Sequence, residues 1–256
     1  MGKFDGFLIC SDFDGTFSGD ENVISANKKA VEHFAREGGR FTFCTGRSVA
    51  YLKEKGLSDI VNAPACLVNG SVIYDYENEK VLLQKTLPFT LKEFAHFVSL
   101  GGLTKLSATV FLGYENEDVI NIEIFDMPDE IADKKPLKIV CRFNTMEEAD
   151  AFKTFAKEST FFKECYISKS WSVGVELNPL SATKGTAIEF IKNYLGDIHT
   201  SVGIGDYEND IPLLLCADIG VCVANGLDAV KNIADRIVKR NDEGAVADLI
   251  STLTRL

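Results

Sequence analysis

Short apolar runs that each end in small, polar or acidic residues recur along this chain, alternating with segments of helical period. Phe7–Cys10 is β-rich and stops at Ser11-Asp12-Phe13-Asp14-Gly15-Thr16. Ser25 then precedes Ala26, Ala30, Val31, Phe34 and Ala35, which fall at helical spacing, and Gly38-Gly39 ends that helix. Arg40–Cys44 is the next strand and runs into Thr45-Gly46-Arg47. Val49–Lys55 is a short helix, and Ala65–Val68 is a strand entering Asn69-Gly70. After Pro179 the alternation resumes with helix Thr183–Tyr194, strand Thr200–Ile204, helix Asp210–Cys216 and strand Gly220–Val223. Leu227–Ala234 is helical, Ile237–Val238 extended, and Ala245–Leu253 closes the chain as a helix. Strands separated by helices and brief loops predict a doubly wound parallel sheet covered on both faces.

The middle has a different rhythm. Phe89–Leu100 is helical by period, and Leu106–Leu112, Val119–Phe125 and Leu137–Phe143 read as successive strands. Met146–Glu158 is amphipathic and is followed by strand-like Phe161–Ser168 and Ser172–Leu177. Neighbouring strands with few helices between them predict an antiparallel α+β module. At 256 residues the chain is long enough for one large domain or two smaller ones. The expected organisation is an α/β core from residues 1–84 and 177–256, interrupted by an α+β domain at 85–176, with joints at Val81 to Pro88 and Gly174 to Pro179.

The formal net charge of −11 is spread along the chain, which disfavours nucleic acid and anionic membrane as partners. An anionic substrate would need local cations, a metal or backbone amides. Seven cysteines, an odd number without a C-x-x-C pair, and three histidines with no partner at ligand spacing argue against zinc and for free thiols in a reducing compartment. The N-terminus has no signal-peptide pattern and no apolar stretch approaches ~18 residues, so a cytoplasmic protein is expected.

In open α/β sheets ligands bind beyond the carboxyl ends of the strands, so the residues there locate the site. Asp12 and Asp14 follow the first strand; Asp206 and Asp210 follow a later one in Gly205-Asp206-Tyr207-Glu208-Asn209-Asp210. Four carboxylates on two strand ends repel one another unless a cation intervenes, and a hard divalent ion such as magnesium suits carboxylate and water ligands. Each piece alone has a bland explanation: a loop D-x-D, a Thr-Gly turn, an Asn or Asp helix cap, a solvated Lys184. Their joint order does not. No G-x-x-x-x-G-K-[ST] occurs, and Gly203-Ile204-Gly205 lacks the third glycine of a dinucleotide fingerprint, which disfavours two common nucleotide-binding classes.

That order resembles the haloacid dehalogenase superfamily of phosphatases, in its Cof-type sugar-phosphatase-like branch, over almost the whole chain. The motifs are Asp12-Phe13-Asp14-Gly15-Thr16, then Phe43-Cys44-Thr45-Gly46-Arg47, then Asn178-Pro179 leading to Lys184-Gly185, then Gly205 to Asp210. The resemblance implies a Rossmann-like core with an inserted cap, and a magnesium-dependent phosphatase acting on a small phosphorylated metabolite, such as a sugar phosphate. It implies Asp12 as nucleophile, Asp14 as general acid and base, and Thr45 and Lys184 around the transferring oxygens. Magnesium would be held by Asp12, the Asp14 carbonyl and Asp206, with Asp210 in support directly or through water. Phe13, Gly15 and Gly46 would bring backbone to the phosphate. Asn209 would orient Lys184 or the phosphate, and Asn69 would face the substrate. Arg47 would either contact substrate or form a salt bridge at a helix start. A phosphomutase or phosphotransferase shares these motifs, and a silent binding protein is the third reading. Oligomeric state is not legible.

Overall fold

The computed structural model describes residues 2–253. Its elements in chain order are β1 (Phe7–Ser11), α1 (Glu21–Arg36), β2 (Arg40–Phe43), α2 (Val49–Glu54), β3 (Ala65–Leu67), β4 (Val72–Asp75), β5 (Lys80–Gln84), α3 (Leu91–Leu100), β6 (Ser107–Phe111) and β7 (Val119–Glu123). There follow α4 (Asp129–Ala132), β8 (Lys138–Arg142), α5 (Met146–Glu158), β9 (Cys165–Trp171), β10 (Gly174–Pro179), α6 (Lys184–Leu195), β11 (Thr200–Gly205), α7 (Ile211–Cys216), β12 (Ile219–Val223), α8 (Asp228–Lys231), β13 (Arg236–Val238) and α9 (Ala245–Thr252).

The core sheet has the order β13-β12-β11-β1-β2, with every pairing parallel. Alternate residues of β1 serve opposite faces. Ile9 packs with Phe34, Phe41, Val246 and Leu249 under α1 and α9, whereas Leu8 and Cys10 pack with Ile188, Ile191 and Leu213 under α6 and α7. Burial on both faces is why these strands read as near-continuous apolar runs. β3 joins the sheet through a parallel bridge between Cys44 and Cys66, then forms an antiparallel unit with β4 and β5. Cys10, Cys44 and Cys66 thus stand side by side on neighbouring strands, each fully buried.

The second sheet, β7-β6-β8-β10-β9, is antiparallel and forms the cap. One face rests on α3 and α5 through Phe94, Val98, Ala149 and Phe152. The other face carries Lys138, Val140, Arg142 and Glu176 and looks toward the carboxyl ends of the core strands.

Several local expectations shift. α1 begins at Glu21, five residues before Ala26, because the Asp20 carboxylate caps the Val23 amide at 2.9 Å. Phe161 and Phe162 belong to a 3-10 turn, not to a strand: their rings pack on Phe89, Phe97 and each other, and β9 starts only at Cys165. Lys80–Gln84, most of which was expected to be a joint, is a strand. The helix over Leu227–Ala234 shrinks to Asp228–Lys231. No helix among the described residues is long and apolar enough to cross a membrane.

Candidate active site

The loop after β1 is fixed before it does any chemistry. The Asp12 amide extends the β1–β11 pairing through a 2.9 Å bond to the Ile204 carbonyl. The Phe13 ring is buried against Phe17, Phe43 and Tyr51, anchoring the turn from below. Gly15 adopts φ +79°, and a Cβ there would overlap the Asp206 carboxylate. Glycine therefore permits both the left-handed turn and the approach of the two loops. Asn225 Nδ2 donates to the Gly15 carbonyl at 2.8 Å, so this residue is part of the loop's frame.

Lys184 is the electrostatic centre. It opens α6, whose Thr183 side chain caps the Thr186 amide, and its own side chain has no solvent exposure. Nζ donates to Asp12 Oδ1 and Asp210 Oδ1, both at 2.6 Å. Asp210 Oδ2 accepts from the Asp206 amide at 3.0 Å and the Tyr207 amide at 3.1 Å. Asp210 is thus committed to holding Lys184 and the β11 loop; of the two roles expected for Asn209, orienting the lysine or the phosphate, no bond to the lysine is seen among the described residues. Burial alone would favour neutral Lys184, but Asp12 and Asp210 reverse this and hold its pKa well above the ordinary value.

One cation against three carboxylates leaves the cluster acidic. Ligand atoms of Asp12, Asp206 and Asp210 lie within 4.8 Å of one another. Burial pushes the Asp12 carboxyl well up against the pull of Lys184, with Asp210 and Asp206 adding to the rise. Burial and Asp210 push Asp206 up to about 7, although Lys184 and the Thr16 hydroxyl oppose it. These donors fit a hard divalent cation: all are oxygen, they converge, and their excess charge is what such an ion neutralises. Lys184 bonds Asp12 Oδ1 and Thr16 bonds Asp206 Oδ1 at 3.2 Å, so both carboxylates keep lone pairs for a metal.

Beside this cluster the residues after β2 and β3 close the site. Thr45 is fully buried, and its Oγ1 accepts from the Arg47 amide at 3.2 Å. Arg47 grips Asp14 with a two-pronged pair, Nε to Oδ2 at 2.8 Å and Nη2 to Oδ1 at 2.6 Å, while its guanidinium lies 4.5 Å from the Tyr51 ring centre. Arg47 thus forms a salt bridge just ahead of α2 while also lining the cavity. A Cβ on Gly46 would come to 3.1 Å from both Asn69 Oδ1 and Lys138 Nζ. Asn69, at φ +59°, donates through Nδ2 to Glu176 Oε2 at 2.6 Å. Asn209 Nδ2 lies 3.5 Å from Asn69 Oδ1, and Asn209 Oδ1 is buried without a partner.

All the candidate residues except Thr45, Phe13, Gly15, Asn69, Lys184 and Asp210 border one cavity of about 410 Å³, and those six stand directly behind it or in its loops. Sequence reasoning missed the far wall, made by Lys138, Arg142, Trp171 and Glu176 of the cap. Lys138 is almost fully buried, donates to the Gly46 carbonyl at 2.9 Å and stands 3.5 Å from Glu176. The signal was available: Lys138 and Arg142 interrupt an otherwise apolar run at positions of the same parity, so they share a strand face.

A family model described as haloacid dehalogenase-like hydrolase matches residues 9–250. This chain belongs to that family. Among curated relatives, a 5-amino-6-(5-phospho-D-ribitylamino)uracil phosphatase of Bacillus subtilis is 29% identical over 245 residues, covering 95% of this chain and 94% of its own length. A second Bacillus subtilis phosphatase with the same named substrate is 23% identical, covering 94% and 95%. Among solved structures, a sugar phosphatase of haloacid dehalogenase subclass IIB superposes with a TM-score of 0.75 at 20% identity, covering 97% and 99%. The hydrolase is a phosphatase, a phosphoric monoester hydrolase built on the haloacid dehalogenase fold.

Proposed function

We propose that this hydrolase transfers the phosphoryl group of a small phosphorylated metabolite to Asp12 and then to water. The observation that carries this reading is Lys184, buried and bridging Asp12 and Asp210 behind the wall of a cavity lined by Asp12, Asp14 and Asp206. Lys184 bonds Asp12 Oδ1, which keeps a lone pair for a cation, and leaves Oδ2 to attack phosphorus. As the Asp12–phosphorus bond forms, the ester bond breaks, and Asp14 gives its proton to the leaving alkoxide. Water then attacks the aspartyl-phosphate, Asp14 takes the water's proton, and Asp12 is restored. A phosphate dianion competes with Asp14 for Arg47, so substrate arrival frees Asp14 to carry the proton. Lys184 and Thr45 stabilise the equatorial oxygens, and Phe13, Gly15 and Gly46 supply backbone to them. Magnesium, held by Asp12, Asp206 and the Asp14 carbonyl with Asp210 behind them, would neutralise charge on the transferring group. Asn209 and Asn69 face the substrate side.

Residues 1–84 and 177–256 form the catalytic core in this reading, and 85–176 choose the leaving group. A sugar or polyol phosphate is the proposed substrate class, supported by the mixed polar and apolar cavity and by the relatives above. The seven unpaired cysteines, six of them buried, support a cytoplasmic setting.

The test is phosphate release from p-nitrophenyl phosphate, sugar phosphates and 5-amino-6-(5-phospho-D-ribitylamino)uracil, with magnesium or EDTA. Magnesium-dependent release that disappears in Asp12→Asn is expected. Activity above a few per cent in that variant would remove Asp12 from its role. Phosphate appearing only when a sugar acceptor is present, as a new ester, would favour the phosphotransferase.

A further inference from the structure

The cap face opposite Asp12 is graded along its strands. β8 sets Lys138, Val140 and Arg142 on that face, and four residues of strand span ~13 Å. Lys138 stands at the catalytic end, bonded to the Gly46 carbonyl. Val140 pairs with Glu176 in the middle, and Arg142 pairs with Gly174, which pairs in turn with Trp171. Arg142 and Trp171 therefore flank Gly174 in one row across three strands, about 10 Å apart at ~4.8 Å per strand. A Cβ on Gly174 would overlap the indole, so this glycine lets the Trp171 ring lie over β10.

Two features make this row a binding notch. The Arg142 guanidinium is positioned by neutral acceptors, with Nη2 bonded to Thr109 Oγ1 and, at 2.8 Å, to Asn121 Oδ1. Neither neutralises it, and no carboxylate lies within 4 Å of it among the described residues. In a chain of net charge −11, Arg142 is an exposed arginine on the cavity wall, held by two neutral side chains and free of any carboxylate partner, so its cationic fork is open to a ligand's acceptors. Beside it, Trp171 is 37% exposed, an indole presenting a face to the same cavity.

We propose that the Arg142–Gly174–Trp171 notch binds the far end of an elongated leaving group, and that this end is a planar heterocycle bearing carbonyl acceptors. This rests on the phosphatase reading, which places the phosphate at Asp12. The ring lies against the indole, the guanidinium fork donates to its oxygens, and the linker crosses Val140 and Ser170.

A matched pair of esters tests it: 5-amino-6-(5-phospho-D-ribitylamino)uracil and ribitol 5-phosphate, which lacks the heterocycle. Wild-type kcat/KM is expected to favour the first about 30-fold or more, chiefly through KM. Arg142→Ala and Trp171→Ala should each reduce that preference about tenfold, with Arg142→Lys intermediate because it keeps charge but not the planar fork. Equal kcat/KM for the two esters, or a preference untouched in both alanine variants, overturns the proposal. Trp171 is the chain's single tryptophan, so its fluorescence reads the notch without any chemistry. Titration of Asp12→Asn with phosphate-free 5-amino-6-(D-ribitylamino)uracil should shift the emission saturably, and Arg142→Ala should abolish the shift. A folded protein with no saturable response overturns the proposal. A saturable response without phosphate release from either ester upholds the notch and defeats the phosphatase reading.

Discussion

Lys184 holds the acidic cluster together through two bonds, and in the proposed reaction the same two bonds place its charge beside the transferring group. Replacing it with Met keeps the apolar stem but leaves Asp12, Asp206 and Asp210 without their cation. An uncompensated buried charge costs about 3–5 kcal/mol when its partner is removed. Lys184→Met should therefore lower the melting temperature in EDTA, and magnesium should recover more of it than in the wild type, while turnover falls about 10²-fold or more. A variant that melts like the wild type in EDTA would deny the lysine its neutralising role. Most of this cluster was legible in the sequence, because Asp12, Thr45, Lys184 and Asp206 each follow a core strand or open a helix at the same edge. That Asp210 is the residue bonded to Lys184 was not. It depends on which of two adjacent buried side chains reaches the lysine, and the backbone amides of Asp206 and Tyr207 hold Asp210 in that place.

Among elements, the short connections carry more than their length suggests. Asp218, between α7 and β12, accepts from Lys192 at 2.7 Å and from the Ser201 amide and hydroxyl at 2.7 and 2.6 Å. It joins the end of α6 to the start of β11. Burial would raise its carboxyl, but these donors prevail and hold it at about 2. A depressed pKa stabilises the fold above the unfolded value of ~3.9, and that contribution fades as pH falls through about 2. Asp218→Asn should cost about 1 kcal/mol or less at pH 7, because the group is half-exposed, and the difference from wild type should vanish near pH 2. Urea unfolding at the two pH values measures it. The core helices and strands were readable because burial on both faces gives long apolar runs. The cap elements were harder: Phe161 and Phe162 have strand propensity, yet an aromatic cluster with Phe89 and Phe97 claims them for a turn.

Across the whole molecule, the cap and the core meet at Glu208, inside the loop that carries Asp206 and Asp210. Its carboxylate pairs with Lys153 of α5 and accepts the Lys169 amide of β9 at 3.2 Å, and its carbonyl lies 3.5 Å from the Tyr166 hydroxyl. Glu208→Ala removes both carboxylate contacts without touching the buried cluster. The expected result is a several-fold higher KM and faster proteolysis in residues 80–88, where the chain passes into the cap; unchanged KM and proteolysis would show that closure rests elsewhere. This contact escapes sequence reasoning because its partners lie 39 to 55 residues away and none stands out in its own segment. The row of thiols beneath the site gives the molecule a clock. Cys10, Cys44 and Cys66 lie behind Asp12 and Thr45 with no exposed surface, so an alkylating reagent reaches them only when β1, β2 and β3 separate. The rate of their labelling, with and without a ligand in the cavity, counts how often the floor beneath Asp12 opens.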